Sequence, residues 1–254
     1  MFGKVKKELE RALKGNVIRG ELLSKHTSFR VGGKAAVFAV ANSLPHLRLI
    51  LEVALDYNVA VFVIGKGSNL LVSDDGFRGV VIKLGPSFQK VYLDNNHLRA
   101  GAAAGLHLLS LAAYKNSFKN FSFLTGIPGS VGGALVLNAG AYGRSIGEMV
   151  SQVTVYRPEV GLKTLEASKL VFGYRTSSLS KEGIIVEALF QTEEGKQIQI
   201  KAEMERYFKK RKETQPLNFP SAGSVFKNPS SDISAAKLIC ANLSRWSFPH
   251  SCRF

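Results

Sequence analysis

The segment Gly126-Ile127-Pro128-Gly129-Ser130-Val131-Gly132-Gly133-Ala134-Leu135-Val136-Leu137-Asn138-Ala139-Gly140-Ala141-Tyr142-Gly143 concentrates glycine and small residues as no other stretch of the chain does. Glycine lets a backbone take φ > 0 or admit a bulky group close to its N–H groups. Pro128 sets φ at the start of a turn, and the small residues up to Ala134 lead into Leu135, Val136 and Leu137. This pattern predicts a short helix whose first N–H groups point outward, an arrangement that attracts phosphate. The competing reading is a tight packing corner, in which the glycines only let two elements touch.

A second loop, Gly65-Lys66-Gly67-Ser68-Asn69-Leu70, directly follows an apolar run that reads as a buried strand. Small and rich in donors, it suits a pyrophosphate. It lacks the upstream glycine of a P-loop and stops one glycine short of the Gly-x-Gly-x-x-Gly fingerprint. The residues alone therefore point to a phosphate-rich ligand, and two such loops suggest a dinucleotide.

The elements that must hold these loops can be read from periodicity. Val5, Leu9 and Leu13 recur at helical spacing in a mixed-charge N-terminal helix, and a linker is expected through Gly33. Strand Ala36–Ala41 precedes a helix capped by Ser43 with Pro45 in its first turn, reaching about Tyr57. Strand Val59–Ile64 then completes a βαβ rhythm. Asp74-Asp75-Gly76 is a turn before a strand over Val80–Leu84. Val91–Leu93 and Leu98–Ala104 flank an Asn95-Asn96 turn, and a helix is expected over Leu106–Lys115. Further on, Val153–Tyr156 and Leu162–Leu165 read as paired strands and Ile184–Phe190 as a long one. A helix from about Gln197 closes on Lys209-Lys210-Arg211-Lys212, and Pro216–Pro220 is the best candidate boundary.

Composition narrows the class. With 254 residues, 45% hydrophobic and 21% charged, the chain has the make-up of a soluble globular protein. No run approaches the roughly 20 apolar residues of a membrane helix, and the N-terminus has no secretory apolar core, so a cytoplasmic location is expected. Cys240 and Cys252 lie too near the C-terminus to frame the fold, in keeping with a reducing compartment. The net charge of +15 raises nucleic acid as a rival partner. The basic cluster has a local explanation in the helix macrodipole, however, and no zinc-finger, helix-turn-helix or RNA-recognition pattern accompanies it. His26, His46, His97, His107 and His250 form no metal or nucleophile pattern and are read as structural or surface residues; no metal is implied.

Taken in order, Thr27-Ser28-Phe29-Arg30-Val31-Gly32-Gly33, Gly65 to Leu71, Gly126 to Gly133, Asn138 to Gly143, Phe172-Gly173-Tyr174-Arg175 and Ser221-Ala222-Gly223-Ser224-Val225-Phe226-Lys227-Asn228-Pro229 resemble the UDP-N-acetylenolpyruvoylglucosamine reductase (MurB) family. The resemblance implies an α+β fold: a FAD-binding module of the para-cresol methylhydroxylase type, built of two α/β subdomains, followed by an incomplete α+β substrate-binding domain. The corresponding division is an N-terminal helix (1–20), a FAD-binding domain (21–215) and a partial substrate domain with an atypical tail (216–254). The cofactor contacts would come from Gly65, Lys66, Gly67, Ser68, Asn69 and Leu70, and from Gly126, Ile127, Pro128, Gly129, Ser130, Gly132, Gly133, Asn138, Gly140, Ala141 and Tyr142.

The same resemblance implies that NADPH reduces FAD and that the flavin passes hydride to C3 of UDP-N-acetylglucosamine enolpyruvate, with protonation at C2 giving UDP-N-acetylmuramate. FAD, NADPH and the UDP-sugar are all anionic, which offers the positive charge a second use. Arg175, otherwise a solvated loop arginine, matches the arginine that grips the substrate carboxylate through parallel N–H bonds. Ser224, otherwise a turn or capping serine, matches the proton donor. The implied enzyme is a FAD-dependent NADPH oxidoreductase acting on a CH–CH bond in peptidoglycan precursor synthesis, monomeric, without nucleic acid or membrane partners.

Two departures from the family stand out. The glutamate of its C-terminal Ser-x-Lys-His-Ala-Asn-like motif has no counterpart, since after Ser234–Ile239 the sequence runs through a tail with no readable helical period and no acidic residue beyond Asp232. A truncated or frame-shifted copy is therefore expected, with flavin binding intact, substrate reduction impaired and apolar surface exposed. Only Thr176 to Gly183 separate Arg175 from the next strand, which resembles the shorter, type II branch and leaves the Lys209–Lys212 cluster as a candidate diphosphate partner.

Overall fold

The computed structural model describes residues 1–230 and 233–243. Asp232, His250, Cys252 and the tail over 244–254 lie outside the described residues. In chain order the strands are β1 (Val17–Leu22), β2 (Lys34–Ala41), β3 (Val61–Ile64), β4 (Phe77–Leu84), β5 (Val91–Asp94), β6 (His97–Gly101), β7 (Gly140–Ala141), β8 (Arg144–Ser145), β9 (Val150–Arg157), β10 (Gly161–Glu166), β11 (Phe172–Gly173), β12 (Thr176–Ser177) and β13 (Ile184–Phe190). The helices are α1 (Phe2–Leu13), α2 (Leu44–Asp56), α3 (Leu106–Lys115), α4 (Val131–Val136), α5 (Gln197–Thr214) and α6 (Ala235–Leu243).

Two sheets carry the fold. The first has the order β1-β2-β4-β3, parallel except for β1, and the second, β10-β9-β13-β6-β5, is antiparallel throughout. One contiguous core joins them: Val37, Ala39 and Ile82 of the first sheet belong to the same buried cluster as Leu98, Val153 and Phe190 of the second. Helix α1 is held by the stripe seen in the sequence, since Val5, Leu9 and Leu13 are all fully buried. Ser43 caps α2 by accepting from the His46 N–H, with Pro45 in the first turn. Asn95 and Asn96 take φ of 47° and 62°, the paired left-handed turn that matches the twist of the β5–β6 hairpin.

Some expectations need correction. The linker expected before Gly33 contains β1, an edge strand that pairs antiparallel with β2. Gly20, at φ 69°, breaks its alternation and hides it from a periodicity reading. β2 and β3 are parallel but not neighbours, because β4 lies between them. Helix α6 runs through Cys240 to Leu243, where the sequence shows no helical period, because each residue added to a formed helix gains a backbone bond whatever its side chain. Among the described residues no helix is long and apolar enough to cross a membrane.

Candidate active site

The first glycine loop leaves the end of β3 and is pressed against the Thr27 segment. Gly67 has φ 62°, and a Cβ there would lie 2.0 Å from the His26 carbonyl oxygen, so only glycine fits. Its carbonyl accepts from the Ser28 N–H at 3.1 Å. Among the described residues, the N–H groups of Lys66, Ser68 and Asn69 donate to no backbone carbonyl. A turn with several donors unused by the backbone suits the oxygens of a pyrophosphate.

The second glycine segment meets this loop. Ser68 Oγ donates to the Pro128 carbonyl at 2.5 Å. A Cβ on Gly65 would come within 2.4 Å of Ser130 Oγ. Helix α4 does not behave as expected, however. Its first N–H groups are spent: Val131 donates to Ala104 O at 2.9 Å, Gly132 to Ala102 O at 2.8 Å, and Gly133 to Ser130 Oγ at 3.5 Å. Gly132 lets Ala102 approach to 3.1 Å of its missing Cβ, which is the packing-corner reading. Free donors at this site come from the first loop, not from the helix start.

The remaining blocks are drawn to the same place. Asn138 donates through Nδ2 to Gly173 O at 3.1 Å and accepts at Oδ1 from the Gly147 N–H at 3.0 Å. It thereby ties the Asn138–Gly143 stretch to the β11–β12 hairpin, whose turn carries a half-buried Arg175 at φ 59°. Ser177 Oγ fastens that hairpin to Val136 O at 3.0 Å, and the Tyr174 hydroxyl accepts from the Asn228 N–H at 3.2 Å. Ser221 N–H donates to Ser28 O at 3.2 Å, and Gly223, at φ 81°, would place a Cβ 3.4 Å from Asn69 Oδ1. Ser224 follows it, exposed.

Tyr142 faces elsewhere than a ligand-contact role suggests. Its ring stacks on Tyr207 at 4.1 Å and 4°, and its hydroxyl donates to Tyr207 O at 2.9 Å. The Gly140–Gly143 turn is thus docked on α5. The same helix brings in one member of the Lys209–Lys212 cluster. The Arg211 stem lies 3.1 Å from the Cβ position of Gly126, beside Phe208. Burial pulls its pKa below the ordinary arginine value, while the nearby Tyr142 acts in the opposite sense. Arg211 forms none of the ion pairs among the described residues, in contrast to its neighbour Arg206 on the same helix. The spacing from Phe208 to Arg211, a helical i, i+3 step aimed at one glycine, is what sets it apart from the rest of the cluster.

The donor set fits a dinucleotide: unpaired N–H groups, a lysine in the loop, and uncompensated cations around glycines that admit no side chain. Comparison with known proteins agrees. A family model described as a FAD binding domain matches residues 35–161. The UDP-N-acetylenolpyruvoylglucosamine reductase of Desulforamulus reducens is 41% identical over 233 residues, covering 91% of this chain and 77% of that protein. Its namesake in Bacillus subtilis is 37% identical over 228 residues, covering 89% and 75%. Among solved structures, that of UDP-N-acetylenolpyruvylglucosamine reductase from Thermus caldophilus superposes with a TM-score of 0.78 at 32% identity, over 89% of this chain and 79% of that one. Alkyldihydroxyacetonephosphate synthase, at 18% identity and a TM-score of 0.55, covering 76% of this chain and 41% of its own, shares the fold.

Proposed function

The chain belongs to the UDP-N-acetylenolpyruvoylglucosamine reductase family, and from that membership we propose that it binds FAD, accepts reducing equivalents from NADPH, and reduces UDP-N-acetylglucosamine enolpyruvate to UDP-N-acetylmuramate, a cytoplasmic step of peptidoglycan precursor synthesis. The observation that carries this reading is convergence. Thr27-Ser28, the Gly65 loop, the Gly126 segment, Asn138, the Arg175 hairpin and the Ser221–Pro229 motif are joined by hydrogen bonds between residues far apart in the chain.

FAD, when bound, would supply the hydride chemistry for reduction at C3 of the enolpyruvyl ether. The residues of this chain divide the rest. The N–H groups of the Gly65 loop would hold the cofactor's diphosphate, and the Gly126–Gly133 segment, tied to that loop through Ser68 and Pro128, would form the neighbouring wall. Arg175, fixed in a left-handed turn, grips the substrate carboxylate and meets the negative charge that spreads onto it as C3 receives hydride. Ser224 donates its hydroxyl proton to C2; so weak an acid can do this only because Arg175 has stabilised a strongly basic carbon. Arg211 adds positive charge for the anionic ligands at the Gly126 edge.

The test is a visible spectrum of protein with added FAD, followed anaerobically by NADPH and then substrate. A flavin band near ~450 nm that bleaches with NADPH is expected; its return with substrate shows reduction of the enolpyruvyl ether, and a bleached flavin that does not return bears out the impaired substrate step. A folded protein that never takes up flavin overturns the proposal.

A further inference from the structure

Gly105, the residue before α3, is crowded by two side chains from different elements. A Cβ there would lie 2.7 Å from Lys66 Nζ and 2.7 Å from both Nδ1 and Cε1 of His107. An ammonium and an imidazole thus converge on one backbone position, at the rim of the loop whose N–H groups are unused. Both side chains are exposed to solvent, and neither takes part in an ion pair among the described residues. His107 also stands in the first turn of α3, where the helix dipole opposes a positive charge and favours a negative one. An arrangement that repels a second cation and lacks a carboxylate is suited to an anion.

We propose that Lys66 and His107 form one clamp for a phosphate of bound FAD, and that His107 takes up a proton as the phosphate enters. The inference rests on the FAD reading above. In the free protein partial desolvation of the ring first, and the charge of Lys66 second, hold the imidazole below the usual histidine range. Among the described residues Lys66 is the one charged group that acts on it, from the loop packed against α3. A phosphate between the two groups screens Lys66 and accepts a hydrogen bond from protonated Nδ1, reversing the balance. Binding and protonation are then linked, so affinity rises as pH falls through the bound-state pKa and levels off below the free-state one. The gain is about tenfold for each unit by which the phosphate raises that pKa.

The experiment follows the His107 Cε1–H resonance, assigned by its loss in H107Q, through a pH titration of the protein alone, with inorganic pyrophosphate, and with FAD. Both ligands should raise the midpoint in the native chain and raise it less in K66M. In parallel, FAD affinity by fluorescence should increase about threefold to tenfold between about pH 8 and about pH 6, and stay level in H107Q. If FAD binds stoichiometrically while His107 titrates unmoved, the clamp is wrong and the cofactor reading stands. A midpoint moved by pyrophosphate in protein that takes up no FAD keeps the anion clamp and overturns the cofactor reading. A midpoint that moves only when NADPH is added to FAD-loaded protein overturns the assignment to a FAD phosphate.

Discussion

Ser68 Oγ and the carbonyl of Pro128, sixty positions apart in the chain, are joined by a 2.5 Å hydrogen bond. This bond closes the first glycine loop onto the second and makes one wall of the two turns. Ser68→Ala should leave the fold intact, because the bond is at the surface, but weaken FAD binding about tenfold. Fluorescence titration of the variant checks this; native affinity would mean that packing alone aligns the loops.

Glycine is needed for different reasons at different turns, and substitution should separate them. Gly67→Ala meets the His26 carbonyl at 2.0 Å in addition to its positive φ. It should cost at least about 2 kcal/mol and abolish flavin binding. Gly143, with φ 78° and open space around it, should cost only the strain of the left-handed conformation, about 1 kcal/mol. Urea unfolding of the two variants measures the difference.

The proposed roles of Arg175 and Ser224 predict a split between half-reactions. Ser224→Ala should slow reoxidation of the flavin by substrate about 10²–10⁴-fold while leaving reduction by NADPH unchanged. Arg175→Lys keeps a charge but loses the two-pronged grip, and should slow the same half-reaction about a hundredfold. Stopped-flow absorbance resolves the two steps; equal loss in both would deny these residues a role specific to the substrate.

Arg211 carries a half-buried charge without a carboxylate partner, which is costly in the free protein and useful only to a ligand. Arg211→Met keeps the stem that packs on Gly126 and removes the charge. Its melting temperature should rise in the absence of ligand, and binding of the UDP-sugar should weaken. Calorimetric melting and a ligand titration together test this, and a fall in both quantities would assign Arg211 a structural role instead.

Acid should loosen the β8 region through Glu148. Burial opposes the charge of this carboxylate, but bonds from the Ser145 N–H, Ser145 Oγ and Arg144 outweigh it and hold the pKa below its ordinary 4.5. A folded-state pKa below the unfolded one gives stability that is present above that ordinary value and is lost as pH falls through the folded pKa. Glu148→Gln should therefore lower the melting temperature most at neutral pH, with the gap to the native protein closing in acid.

Much of the fold was legible without coordinates. The bounds of α3 and β13 and the Asn95-Asn96 hairpin follow from side chains within a few positions of one another, where period and turn chemistry operate. The two glycine loops announced themselves by composition, and the order of motif blocks pointed to the family. Strand β1 was hidden by Gly20, and the α4 N–H groups looked free because nothing nearby in sequence reveals that Ala102 and Ala104 reach them.

Local order thus resides in the sequence: which segments are helix or strand, which turns require glycine, and which residues match a known chemistry. The placement of Gly223 beside the Gly65 loop, of Tyr142 on Tyr207, and of Lys66 against His107 came only with the folded chain. Hydrogen bonding and packing between residues far apart depend on how the two sheets share a core, and that is a property of the whole chain's burial, which no local window contains.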